Sequence, residues 1–372
     1  MRVEVYPNQP VKEENRLPGH TSVILDVKVL AGDQRCATAS TDGSIVIWNV
    51  QQGTFEREIR AHDGAVRCLA TSPSDPNRLV SAGTDGRIHV WDLATGTPTQ
   101  TIKFLAGDIL SLAVNPKDPN IAYTGHEDRQ IRIWDLAGGK EIGKLSGHTN
   151  HVTTLDATPD GKSLVSAGND QSIRVWDLAT GKESKSYRGR STGISRIGLS
   201  KDGMLFPFNN GAFLQIRELA NGVPVADLEN LTGDFDFVAV FAPQGGMVLT
   251  ANESSQLLLY EPAPAGRSPR LVRRYEGHTG PITAVDFSSK GDYFVSVGND
   301  RVVHVWKVPD AATIRKERKV GTISFVNPQA EAGSRTVAVH AEIENKDDAL
   351  LPGDFATMVI YPQEPPVTAR SQ

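Results

Sequence analysis

Only two cysteines, Cys36 and Cys68, occur in 372 residues. That excludes a disulfide framework and a multi-cysteine zinc site. No run of 18 apolar residues occurs, so no segment reads as a membrane-spanning helix. The first residues, Met1-Arg2-Val3-Glu4-Val5-Tyr6-Pro7, lack the apolar centre of a signal peptide, and the chain as written is expected in the cytoplasm. Neither sign of charge dominates: 39 Lys and Arg against 44 Asp and Glu give a net charge of −5 and a pI near 6.0. A dedicated nucleic-acid binder needs a basic face to displace counterions, so nucleic acid is not an expected partner. Aromatic residues are only 6%. There is no glycine-rich phosphate loop and no zinc-protease helix, and no cofactor is expected. Turn formers are plentiful, with 34 Gly and 22 Pro, which points to many short elements. A hydrophobic content of 39% is ample for a core.

Internal repetition organises the chain. The tryptophans are Trp48, Trp91, Trp134, Trp176 and Trp306, with first gaps of 43, 43 and 42 residues. The span from Trp48 to Trp306 is six times 43, so two repeats with degraded signatures fit between Trp176 and Trp306. Their equivalent positions fall near Arg217 and at Tyr260, and seven repeats result. The clearest unit runs from Gly147-His148 through Val152 to Ala157, Pro159-Asp160-Gly161, Leu164-Val165-Ser166 and Asn169-Asp170 to Ile173-Arg174-Val175-Trp176-Asp177. Its apolar runs are alternating, β-branched and too short for helices. Turn residues such as Thr84-Asp85-Gly86 separate comparable runs elsewhere.

This unit resembles the WD repeat of β-propellers, and similar strings start at Gly19-His20, Ala61-His62 and Gly277-His278. The resemblance covers about residues 11–308. The expected fold is all-β, a seven-bladed WD-type propeller with a small C-terminal β module. One four-stranded blade cannot bury both its faces alone, whereas a closed ring of blades does. The resemblance also implies that a strand from Val11 to Leu17 completes the last blade.

Four repeats carry His, Ser or Thr, Asp and Trp in register: His20, Thr38, Asp42 and Trp48; His62, Ser81, Asp85 and Trp91; His148, Ser166, Asp170 and Trp176; His278, Ser296, Asp300 and Trp306. A Ser-His-Asp set invites a nucleophile reading. A catalytic set occurs once, however, and this one recurs in every well-formed unit. The resemblance implies a structural network instead, with Asp bonded to His, His to the hydroxyl, and the hydroxyl to the indole N–H. No catalytic residue and no metal ligand is expected. The third repeat has Leu105 where His belongs but keeps Thr124, Asp128 and Trp134. The fifth has Arg190, Gly211 and Arg217 at the His, Asp and Trp positions. The sixth keeps Thr250 but has Ser254 and Tyr260 for Asp and Trp.

Other clusters read blandly. The pair His148 and His151 offers too few ligands for zinc. His126-Glu127-Asp128 ends in a tight-turn residue. Cys36 and Cys68 lie in strands and read as buried thiols. WD propellers bind proteins on the narrow top face, and the resemblance maps that face here to Arg67, Thr84, Asp108, Glu127, His151, Thr153, Asn169, Ser195, Asn210, Thr283 and Asn299. This rim mixes signs. Phe235 and Phe237 are the aromatic candidates for binding hot spots.

Beyond Val308 the pattern changes. Residues 311–320 are charged and read as a linker or short helix. Then come a strand ending in Asn327-Pro328, Arg335-Thr336-Val337 opening an alternating strand through Ile343, a turn at Asn345, and Leu351-Pro352-Gly353 leading into Phe355–Ile360. This order resembles the β-barrel domain of bacterial periplasmic adaptor (membrane fusion) proteins, without their coiled-coil hairpin or lipoyl-like halves. Three or four strands alone are marginally stable. One repair is for Val3 to Tyr6 to add a strand.

The expected organisation is therefore an N-terminal extension (1–10), the propeller (11–308), a linker (309–320), the adaptor-like module (321–361) and a tail (362–372). The expected function is a non-catalytic scaffold with protein partners on the propeller's top face. The alternative is an accessory component of a bacterial membrane transport complex, docking on a transporter or adaptor subunit through 321–361. That reading points to a periplasmic or membrane-associated location.

Overall fold

The computed structural model describes residues 2–7, 15–104, 107–189, 198–209, 214–228, 238–251, 255–262, 269–310, 319–326, 339–343 and 356–361. Every regular element among them is a β-strand. The chain divides into two compact units, Lys12–Leu271 with Tyr275–Val308, and Met1–Val11 with Val272–Arg274 and Pro309–Gln372.

The first unit is a ring of seven antiparallel sheets. The fourth blade is typical, with strands Val152–Ala157, Ser163–Gly168, Ser172–Asp177 and Lys182–Arg188 from the inside outward. The inner three are largely buried, and the outermost is mostly exposed. The fifth blade shows three strands among the described residues, Leu205–Asn209, Leu214–Glu218 and Pro224–Leu228. The seventh blade is built from Ile282–Phe287, Tyr293–Gly298 and Val302–Lys307. Its fourth strand is Asn15–Pro18, which pairs antiparallel with Val302–Val305. Residues 11–14 of the expected closing strand lie outside the described residues.

The hairpin between the second and third strands repeats one turn. The Oδ1 atoms of Asp42, Asp85, Asp128, Asp170 and Asp300 accept the N–H two residues on, at 3.0–3.2 Å. The intervening residue takes a left-handed φ. Gly43 and Gly86 do so freely, whereas Arg129, Gln171 and Arg301 do so at φ 63–72°.

The core is laid down between blades. Trp48 packs with Val295, Val297, Val303 and Val305 of the seventh blade. Trp91 packs with Ala39 and Ile45 of the first, and Trp134 with Val80 and Val90 of the second. Each blade thus presents its tryptophan to the blade before it. Glycine precedes the network histidine in three of the four complete sets, where the ring leaves no room: a Cβ on Gly277 would lie 2.8 Å from Cη2 of Trp306, and one on Gly19 would meet Trp48, whereas the second blade accommodates Ala61. In the degenerate blades other side chains fill the seam. Phe206 and Phe208 pack against Val165 and Val175, and the Arg217 guanidinium lies 3.9 Å over the Phe208 ring. Tyr260 takes the tryptophan's place between blades five and six. Cys36 and Cys68 are buried thiols outside any disulfide, and burial pushes the Cys36 thiol well above its ordinary pKa.

The second unit holds a four-stranded sheet in the order Val339–Ile343, Lys319–Val326, Arg2–Pro7, Ala356–Tyr361, all antiparallel. The N-terminal residues occupy an inner strand of it. Its strand at 319–326 begins inside the stretch expected to be linker or helix. Pairing of Val320 with Glu4 and of Lys319 with Val5 carries the strand back to Lys319. Arg335–Ala338 and Asn345 lie outside the described residues.

Candidate functional site

Two sets of polar groups stand out, one inside the blades and one along the central channel. Inside the blades, His148 Nδ1 lies 2.9 Å from Asp170 Oδ2, and His148 Nε2 lies 2.7 Å from Ser166 Oγ. The Trp176 indole N–H donates to that same Oγ at 2.8 Å. The other complete sets have the same geometry. His20 reaches Asp42 at 3.2 Å and Thr38 at 2.7 Å; His62 reaches Asp85 and Ser81, both at 2.8 Å; His278 reaches Asp300 and Ser296, both at 2.7 Å. Trp48, Trp91 and Trp306 donate to the corresponding hydroxyls at 2.7–2.9 Å. The imidazole joins neighbouring strands of one blade, so the network fixes the loop before the first strand onto the next hairpin.

Burial lowers the pKa of all four histidines, although their aspartates pull the other way. Burial pushes the Asp170 carboxyl up, but hydrogen bonds from Ser172 and Thr149 and the His148 ring outweigh it and hold it below the ordinary carboxylate range. Each hydroxyl accepts from an indole and is buried against an imidazole. None is free to act as a nucleophile.

The third blade corrects the expectation for Asp128. Leu105 lies outside the described residues, and Asp128 is turned instead to Arg132, bonded through both guanidinium nitrogens at 3.1 and 2.5 Å. The histidine role passes to His126, whose Nε2 lies 2.7 Å from Thr124 Oγ1. The two share a strand with one residue between them, so they point to the same face. Trp134 still donates to Thr124 at 2.6 Å. His126, Glu127 and Asp128 therefore diverge rather than forming a cluster.

Along the ring axis the inner strands enclose a cavity of about 850 Å³. Arg67, Glu127, His151, Thr153, Asn169, Thr283 and Asn299 line it. Thr84 does not; its Oγ1 accepts the Ala65 N–H at 3.0 Å and closes a turn. Asp108 is half-buried outside the lining. Ser195, Asn210, Phe235 and Phe237 lie outside the described residues.

Three further carboxylates line the cavity, and reading the sequence overlooked them: Asp26, Asp156 and Asp286. Each accepts a backbone N–H from the next blade around the ring. Asp26 Oδ2 takes Leu69 at 2.8 Å, Asp156 Oδ2 takes Leu199 at 2.9 Å, and Asp286 Oδ2 takes Val29 at 2.7 Å. An acidic residue inside an apolar inner strand, as in Ile24-Leu25-Asp26-Val27, was the available signal. Their carboxylates serve the seams between blades.

The family described as WD domain, G-beta repeat matches residues 11–49, 53–92, 96–135, 139–177 and 269–307, together more than half of the chain. The matches omit the two blades in which Phe206, Phe208 and Tyr260 stand in for the tryptophan. The CusB-like β-barrel domain family matches residues 310–364. No curated protein matches the chain. With seven blades closed by an N-terminal strand and an Asp-His-hydroxyl-Trp network in four of them, the chain belongs to the WD-repeat family.

Proposed function

We propose that the protein is a non-catalytic scaffold that binds a protein partner at the channel rim and is coupled, through its C-terminal sheet, to a membrane transport assembly. The observation that carries the scaffold reading is the use of its polar groups. The recurrent Ser-His-Asp sets are consumed in tying the strands of each blade together, and further polar side chains, from Arg67 round to Asn299, ring one cavity. WD propellers are typically interaction scaffolds of this kind.

The transport reading rests on the CusB-like match at 310–364 together with the sheet in which Arg2–Pro7 pairs with both Lys319–Val326 and Ala356–Tyr361. On this reading the propeller is an insertion between the first and second strands of an adaptor-type β module. The partner of that module is a transporter or a sister adaptor subunit, and the site of action is the periplasmic or membrane-associated face. A purely cytoplasmic scaffold is the competing location.

Crosslinked recovery of partners from native membranes and cytosol tests both parts. Three baits are compared: the whole chain, the chain with Arg67→Glu and Glu127→Lys, and the chain lacking residues 319–372. Transporter or channel subunits recovered by the first two baits and lost with the third support the adaptor link. A soluble partner lost only with the rim variant supports the rim. Identical recovery by all three baits overturns both.

A further inference from the structure

Two blades carry a second histidine beside the network, at a position where the other blades have none. In the second blade His62, Asp85 and His89 converge, with one ligand atom from each within 4.8 Å of the other two. His278, Asp300 and His304 repeat the arrangement in the seventh. His89 and His304 each sit two residues before the blade's tryptophan. Their rings pack against those of the network histidines, with centroids 4.7 and 4.0 Å apart. Blades three and four carry Arg132 and Arg174 at this position. Those guanidiniums approach the tight-turn carboxylates of Asp128 and Asp170, supplying a permanent positive charge. A histidine supplies a lone pair in the same place.

We propose that these two sets bind a divalent transition cation of the zinc type, each through two imidazoles and one carboxylate. Nitrogen and carboxylate donors in this ratio suit zinc, and three protein ligands leave a fourth position for water. The second blade shows the donors most clearly. His62 Nδ1 lies 2.8 Å from Asp85 Oδ1. His89 Nδ1 lies 2.9 Å from Thr101 Oγ1, while its Nε2 is buried with no hydrogen-bond partner among the described residues. In the tautomer that donates Nδ1–H to Thr101, Nε2 carries the lone pair. In the seventh blade, Asp300 Oδ2 lies 2.7 Å from His278 Nδ1 and 3.6 Å from His304 Nε2.

The outer groups also suit ligation. Metal-bound histidines donate their other ring N–H to a fixed acceptor. Ser81 Oγ and Ser296 Oγ stand 2.8 and 2.7 Å from Nε2 of His62 and His278, and Thr101 holds His89. A cation at His62 Nδ1 replaces the proton that this nitrogen shares with Asp85. The ring's one proton then sits on Nε2 and is donated to Ser81, so the imidazole changes tautomer without changing charge. Arg87 opposes the second-blade site, since its Nη1 is 3.7 Å from Asp85 Oδ2, although Asp63 at 2.7 Å partly offsets it. Val302 occupies the equivalent position in the seventh blade, so that site fills first.

The test is calorimetric titration of ZnCl2 into the chelator-treated whole chain at neutral pH. The expected result is two bound equivalents, one lost in His89→Arg, the other in His304→Arg, and both in the double variant. Arginine is native at this position in two other blades, and thermal unfolding in chelator checks that the fold is kept. Should either variant unfold, His→Gln at the same position takes its place. Thr101→Val weakens the second-blade site about 10- to 100-fold. Visible absorption of the wild-type chain with Co2+ reports tetrahedral ligation without any substitution. The proposal is overturned if the wild type takes up no zinc and gives no tetrahedral cobalt band, or if the double variant binds zinc as the wild type does.

Discussion

Asp286 Oδ2 accepts the backbone N–H of Val29 at 2.7 Å, across the seam where the last blade meets the first. Thr283 Oγ1 donates to the Ile24 carbonyl 2.5 Å away on the same seam. Ring closure therefore rests on side chain to backbone bonds as well as on the strand Asn15–Pro18. Asp286→Ala leaves a half-buried N–H without its acceptor and costs about 1 kcal/mol. Asp286→Asn keeps an acceptor oxygen and costs less. Urea unfolding followed by circular dichroism measures both, and equal losses for the two variants would contradict the seam role.

Ser166 serves two buried donors or acceptors at once, His148 Nε2 and Trp176 Nε1. Ser166→Ala strands both, at about 1–3 kcal/mol each. Thr250 of the sixth blade stands in the same register without a tryptophan, and Thr250→Val is expected to cost less than Ser166→Ala. Paired denaturant melts give the difference directly. A larger loss at Thr250 than at Ser166 would rule out the network as the source of stability.

The His126 imidazole is almost fully buried, and burial, reinforced by the Arg132 charge, pushes its pKa down to about 4. The unfolded chain binds this proton near the ordinary value of about 6.5. Between those values the unfolded state holds more protons than the folded one. The stability that neutral His126 contributes is thus fully present above about pH 6.5 and is lost as pH falls toward 4. His126→Gln should flatten the acid limb of the stability curve in that window, even if it lowers stability at neutral pH. An unchanged slope between the two variants would exclude His126 as a titrating group.

Val5 pairs with both Lys319 and Met358 in the C-terminal sheet. A proline in an inner strand removes a ladder donor and clashes with its neighbours, at about 3 kcal/mol or more. Val5→Pro should expose residues 319–361 to limited proteolysis while leaving the propeller's thermal transition in place. Peptide mapping of the first cleavage sites shows which unit opens, and a proteolysis pattern unchanged from wild type would refute the pairing.

The propeller was readable because Trp48, Trp91, Trp134, Trp176 and Trp306 keep a fixed spacing, and that spacing is set by the blade itself. Blades five and six were readable only by subtraction. Phe206 and Phe208 fill the seam from the second strand, a solution that leaves no mark at the tryptophan position. The bonds of Asp26 and Asp286 were hidden because their partners belong to another blade, and local pattern does not report contacts across a seam. His126 escaped for a related reason: its role depends on sharing a strand face with Thr124, and only an exact register reveals that. In the His62-Asp85-His89 grouping, Asp85 and His89 stand four apart on one hairpin but His62 lies far upstream, so the three form no compact metal-ligand motif along the chain.

The place of Arg2–Pro7 in the sheet has a consequence for synthesis. This strand is made roughly 300 residues before its partners at 319–326 and 356–361. At a translation rate of roughly 5–20 residues per second, it waits on the order of 15–60 s with its backbone donors unpaired. All seven blades can form in that interval. Residues 2–7 then behave as a latch held open until those partners emerge, and a chaperone that shields exposed strand edges would act on this segment during that interval.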